Sequence, residues 1–156
     1  MWQRIQTLYL AIAIALCIFL FYLDLAEVMV NGVVNIFDIF GLIGREIGER
    51  IFSTYAIAGL NILSILLSLV VIFMFRKRQL QIKLCQLNMV VQLAMIAVFF
   101  FMVDASVSEL NMSGDEAYAE YSGGSIVILV PIVFVYLALR AIKKDEALIR
   151  SADRLR

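Results

Sequence analysis

The side chains of this 156-residue sequence that stand where chemistry would be least expected are neutral ones. Asn61, Ser64 and Ser68 recur inside one apolar run, and Asn88 and Gln92 lie four residues apart inside the next. On helices this spacing stacks each group along one face. An antiparallel pairing of the two faces puts Ser68, eight residues before Arg76, level with Gln92, nine after Lys83. A hydrogen bond between membrane helices contributes about 0.6 kcal/mol on average and up to roughly 2 kcal/mol. Glue between helices is the reading that follows. Lining of a pore, or contact with a ligand, is the competing use of the same five residues.

Acid, base and thiol chemistry find little footing. There is no histidine, which removes the commonest general base and metal ligand together. Cys17 and Cys85 fall toward opposite ends of different runs, do not pair, and read as small buried hydrophobes. Asp115, Glu116 and Glu120 cluster, but without the alternating oxygen ligands and placed glycine of a calcium loop, so they read as a solvated acidic face. No metal, cofactor or catalytic set emerges, and an enzyme is not expected.

The elements that carry these residues follow from composition. Apolar residues make up 63% of the chain, against roughly 45–50% in soluble domains. Four runs hold no charge: residues 7–23, 56–75, 84–103 and 123–139. As helices the middle two, of 20 residues, reach about 30 Å, the thickness of a bilayer's hydrocarbon. Trp2, Tyr9, Tyr22 and Tyr55 fall near run ends, where an aromatic belt belongs. A proton- or sodium-coupled transporter normally places ionisable groups or broken helices at depth, and these runs carry no Asp, Glu, Lys, Arg or His. Arg4 ahead of an apolar stretch imitates a secretion signal. The 17-residue run, the poor cleavage site at Asp24-Leu25-Ala26 and the bulky Leu16 before Cys17 argue for a retained first span.

Charge gives the orientation. The N-terminus, residues 76–83 and the tail 140–156 hold eleven bases against three acids, a net +8; the other side holds two bases against ten acids, a net −8. Lys and Arg gather on the cytoplasmic side of membrane proteins, so both termini are expected inside. Arg76, Lys77, Arg78, Lys83, Arg140, Lys143, Lys144, Arg150 and Arg154 then form a basic face beneath the membrane. Each base near an anionic leaflet contributes about 1 kcal/mol. Beyond setting topology, that face would dock acidic lipid or a protein partner through the tail. Nucleic acid is not expected, for no groove-reading motif accompanies the charge.

The outer loops, 24–54 and 104–122, are unequal. Asn31-Gly32 between two β-rich stretches signals a type I′ hairpin. Phe40, Ile43, Ile47 and Ile51 recur at helical spacing, with Glu46 and Arg50 paired opposite, which predicts a short helix. Ser108 to Met112 alternates weakly, like a strand. Pro131 predicts a kink in the last span, as it leaves the carbonyl of Val127 without a donor. Ala11/Ala15 and Ser64/Ser68 permit close helix approach, within the molecule or in a homo-oligomer. Leu148, Ala152 and Leu155 share a face that would continue the fourth span as a cytoplasmic helix.

The opening Gln3-Arg4-Ile5-Gln6-Thr7-Leu8-Tyr9-Leu10 and the closing stretch 140–156, from Arg140-Ala141-Ile142-Lys143-Lys144 to Arg154-Leu155-Arg156, resemble a family of small four-pass membrane proteins of the Bacteroidota. That family is catalogued as a domain of unknown function. The resemblance implies a bacterial inner membrane and carries over no activity, cofactor or site residue. The expected fold is therefore an all-α transmembrane four-helix bundle, 1–156, with a small extracytoplasmic hairpin and short-helix cap. The expected role is a non-enzymatic scaffold or accessory subunit, with a small oligomeric channel as the alternative.

Overall fold

The computed structural model describes residues 3–45, 48–74 and 77–153. Expectations that rest on Trp2, Glu46, Ile47, Arg76, Arg154, Leu155 and Arg156 lie outside the described residues. Long apolar stretches with few helix breakers give α1 (Gln3–Phe19), drawn out by a 3-10 turn at Leu20–Tyr22, then α2 (Ala56–Phe73) and α3 (Arg78–Met112). The last apolar run forms two helices, α4 (Gly123–Val127) and α5 (Val130–Asp153). The interruption follows from Pro131. Its ring crowds the carbonyl of Val127, where α4 stops, and it sits comfortably in the first turn of α5, where its missing N–H is not needed.

Four helical stretches, Ile5–Tyr22, Ala56–Phe73, Arg78–Met112 and Gly123–Ile149, are long and apolar enough to cross a membrane. Only 28–39% of the residues in their most apolar windows are buried. Leu66, Val90, Leu93 and Phe101 are each more than half exposed. An apolar belt of that extent is the kind of surface that a membrane or another protein covers. α1 packs against α2 and α5, and α3 packs against the same two.

The outer loops build far more than a cap. Five strands form one antiparallel sheet in the order β4-β3-β2-β1-β5: β1 (Ala26–Val30), β2 (Val33–Asp38), β3 (Gly41–Ile43), β4 (Arg50–Ser53) and β5 (Ala117–Glu120). This overturns the all-α expectation. The Asn31-Gly32 hairpin is present: both residues have positive φ, at 50° and 82°, and Val30 pairs with Val33. Period-two burial of Ala26 and Val28, then Asn35, Phe37 and Ile39, turns one sheet face toward the helix ends. There Phe37 meets Phe99 of α3 edge-on, with ring centroids 6.1 Å apart.

The short helix predicted through Phe40, Ile43 and Ile51 is β3 and β4 instead. Three glycines make a helix of this length marginal in isolation, whereas the free edge of β2 offers backbone partners and a place to bury Leu42. Gly41 is needed for the entry, since its φ is +133° and a Cβ there would lie 2.1 Å from the Phe52 carbonyl oxygen. Arg50 bonds to Asp38 at 3.4 Å and stacks over the Phe40 ring, 5.1 Å from its centroid.

The strand expected at Ser108 to Met112 is likewise absent. α3 continues through it, making a helix of 35 residues. The true strand lies later, at β5, and Asn111 starts it: its side chain donates to the Ala117 carbonyl at 3.0 Å and accepts from the Ala117 N–H at 2.9 Å. The amide thereby stands in for a neighbouring strand. At the other side of the cap, α4 is pinned to the chain leaving α1. Ser125 Oγ donates to the Leu25 carbonyl, and a Cβ at Gly124 would lie 2.0 Å from the Asp24 carbonyl oxygen.

Candidate functional site: a buried polar belt and a basic groove

Two apolar clusters divide the helices by height. One, at the sheet end, holds Leu20, Phe37, Ile57, Phe99 and Ile128 among others; the second holds Leu10, Val71, Cys85, Leu139 and Ile142. Between them the sequence of every one of α1, α2 and α3 passes through a polar belt. Asn61 donates to the Cys17 carbonyl of α1 at 2.8 Å, Gln92 Nε2 to Ser64 Oγ at 2.9 Å, and Asn88 Nδ2 to Ser68 Oγ at 2.7 Å. All five predicted residues are at most 2% exposed. They are brought together.

The register differs from expectation by one turn. Ser68 faces Asn88 rather than Gln92, which takes Ser64. The expectation centred the connection within residues 76–83, but α3 already starts at Arg78. Moving the turn's centre back by two residues slides antiparallel partners by four, one helical turn.

Sequence reasoning missed two further polar contacts. Gln81 is buried and donates to the Val71 carbonyl at 3.1 Å, closing the last turn of α2. A signal was available, since Gln81, Cys85, Asn88 and Gln92 recur at spacings of four, three and four along one face. Gln6 of α1 donates to the carboxylate of Asp145 of α5, and both are buried. Nothing local marked that pair, because Asp145 stands among charges that read as a solvated tail.

The belt's chemistry is acceptor-rich and uncharged. The Oδ1 atoms of Asn61 and Asn88 and Oε1 of Gln92 have no hydrogen-bond partner. Carboxamides and hydroxyls can hold a donor in place; a hydroxyl becomes a nucleophile only beside a base that takes its proton, and Ser64 and Ser68 here accept from Gln92 and Asn88. Among the described residues, no group of three or more His, Cys, Asp or Glu could hold a metal ion. Of the outer acids, Asp115 accepts from Asn31 at 2.8 Å, tying the hairpin turn to the second loop. Glu120 lies directly opposite Glu27 across the β1–β5 ladder.

The predicted basic residues gather at the end away from the sheet. Lys77 precedes α3, Arg78 opens it and Lys83 follows on its exposed surface; Arg140, Lys143 and Lys144 are exposed on α5, which also carries Arg150. Arg140 and Lys144 line a groove of about 350 Å³ with Leu137 and Ala141 of α5 and Ile5 and Tyr9 of α1. Tyr9 rests near Phe134, their ring centroids 6.5 Å apart.

No curated protein and no solved structure matches the chain. The family that does match spans residues 2–155, and on that match the chain belongs to the family described as a domain of unknown function, DUF4293.

Proposed function

We propose that the protein is an integral protein of a bacterial inner membrane, with both termini cytoplasmic, acting as a non-enzymatic scaffold or accessory subunit. It carries a folded sheet on the outer side and a basic docking face on the inner. One observation carries this reading: the charge split coincides with the fold. Among the described residues, most acids fall on the end that bears the five strands, and most bases on the opposite helix ends. Neutral amides donating to serine hydroxyls, in place of ionisable groups, suit a structural interior better than a catalytic one.

Extraction from native membranes in mild detergent should recover a stoichiometric partner, and removal of residues 147–156 should release it. That truncation spares Asp145 and with it the bond to Gln6. A chain that purifies alone, with or without the tail, refutes the scaffold.

The three unpaired carboxamide oxygens favour a second reading, a small oligomeric channel. It requires solute flux through the purified protein in liposomes, altered by Gln92→Leu. The scaffold passes nothing in either form.

A further inference from the structure

We infer that the groove between α1 and α5 binds the headgroup and upper acyl chain of one anionic glycerophospholipid of the inner leaflet. The inference rests on the orientation proposed above and goes beyond it by assigning a ligand and the residues that hold it.

The groove is graded. Antiparallel packing of α1 and α5 sets Gln6 against Asp145 at one level and Tyr9 beside Phe134 about three turns nearer the start of α5. Lys144 and Ile5 therefore stand at the mouth away from the sheet, Arg140 and Ala141 in the middle, and Leu137 with Tyr9 at the end that runs into the apolar belt. Arg140 and Lys144 are four residues apart, one above the other on the same face of α5, roughly 6 Å between Cβ atoms. Two cations at that separation can share one phosphodiester, the guanidinium offering paired N–H donors and the ammonium a mobile point charge.

The apolar wall chooses the source of the phosphate. Inorganic phosphate or a soluble phosphoanion would gain nothing from Leu137, Ile5 or the Tyr9 ring, whereas the glycerol and first methylenes of a lipid would cover them. The tyrosine's position, with its ring among apolar side chains at a span end, is where an amphipathic ring meets a headgroup. None of the six lining residues is acidic, so Arg140 and Lys144 give the lining a net positive charge. The site thus prefers an anionic headgroup to a zwitterionic one.

Native mass spectrometry of the detergent-solubilised, delipidated full chain tests this, titrating phosphatidylglycerol against phosphatidylcholine of the same acyl chains. One phosphatidylglycerol should bind in preference. Arg140→Gln/Lys144→Gln should weaken it about 30-fold, at roughly fivefold for each base. Lys83→Gln/Lys143→Gln, which removes the same charge from the same end outside the groove, should stay within about twofold. Equal binding of phosphatidylcholine, equal losses in the two double variants, or competition by millimolar inorganic phosphate would each overturn the assignment. Should the groove variant lose its fold, photoreactive phosphatidylglycerol on the natural chain decides: cross-links must map to residues 5–9 and 137–144. A thiol label at Lys143→Cys, reachable only from outside the cell, would refute the orientation alone, since the groove's lipid preference in detergent does not depend on it.

Discussion

At the scale of single residues, the belt between the two apolar clusters is where neutral polarity is concentrated. Ser64 and Gln92, and Ser68 and Asn88, are paired at normal hydrogen-bond lengths and wholly enclosed. In a hydrocarbon surround the alternative partners are few, yet measured couplings between membrane helices stay small, because the unfolded chain in the membrane also finds partners. A double-mutant cycle of Ser68→Ala and Asn88→Leu should therefore give a coupling of about 0.6 kcal/mol and no more than about 1.7 kcal/mol, read from unfolding in mixed micelles. Zero coupling would mean that the two side chains merely share space. The residue types and their helical faces were legible in the sequence. Which serine meets which amide was not, because it depends on where the connection between the helices turns. That turn sits among charged residues that carry no apolar periodicity to date the start of α3.

Among the elements, the hairpin at Asn31-Gly32 was readable because positive φ at two successive residues is a demand few sequences satisfy. β3, β4 and β5 were not. Phe40, Ile43 and Ile51 sit at a spacing that fits a helix, and only the nearby edge of β2 decides for strands. That is a tertiary cause, invisible to any local window. β5 is four residues long and waits on β1, which lies far earlier in the chain. The close of this arrangement is the seat of α4 on the exit from α1. Gly124 admits no side chain there, for a Cβ would strike the Asp24 carbonyl, a backbone atom that cannot swing aside. Gly124→Ala should destabilise the protein by more than about 2 kcal/mol, the scale of overpacking in a tight core. Gly123→Ala, next to it in α4 and with open space around it, should be neutral or stabilise by up to about 1 kcal/mol. Comparable melting temperatures for the two would show that α4 is not held against the loop.

For the whole molecule, composition announced four long apolar helices, but it concealed a five-stranded sheet. The sheet draws its strands from two loops that the sequence separates by two helices, and each loop alone looks too short and too mixed to fold. What joins them is α3, whose 35 residues amount to about 52 Å of unbroken helix, where the hydrocarbon of a bilayer is about 30 Å thick. The excess length stands on the sheet side, with Phe99 and Val103 in the core beneath the strands and Asn111 grasping β5. A continuous helix is stiff along its axis, so α3 ties the sheet at one end of the molecule rigidly to Arg78 and Lys83 at the other.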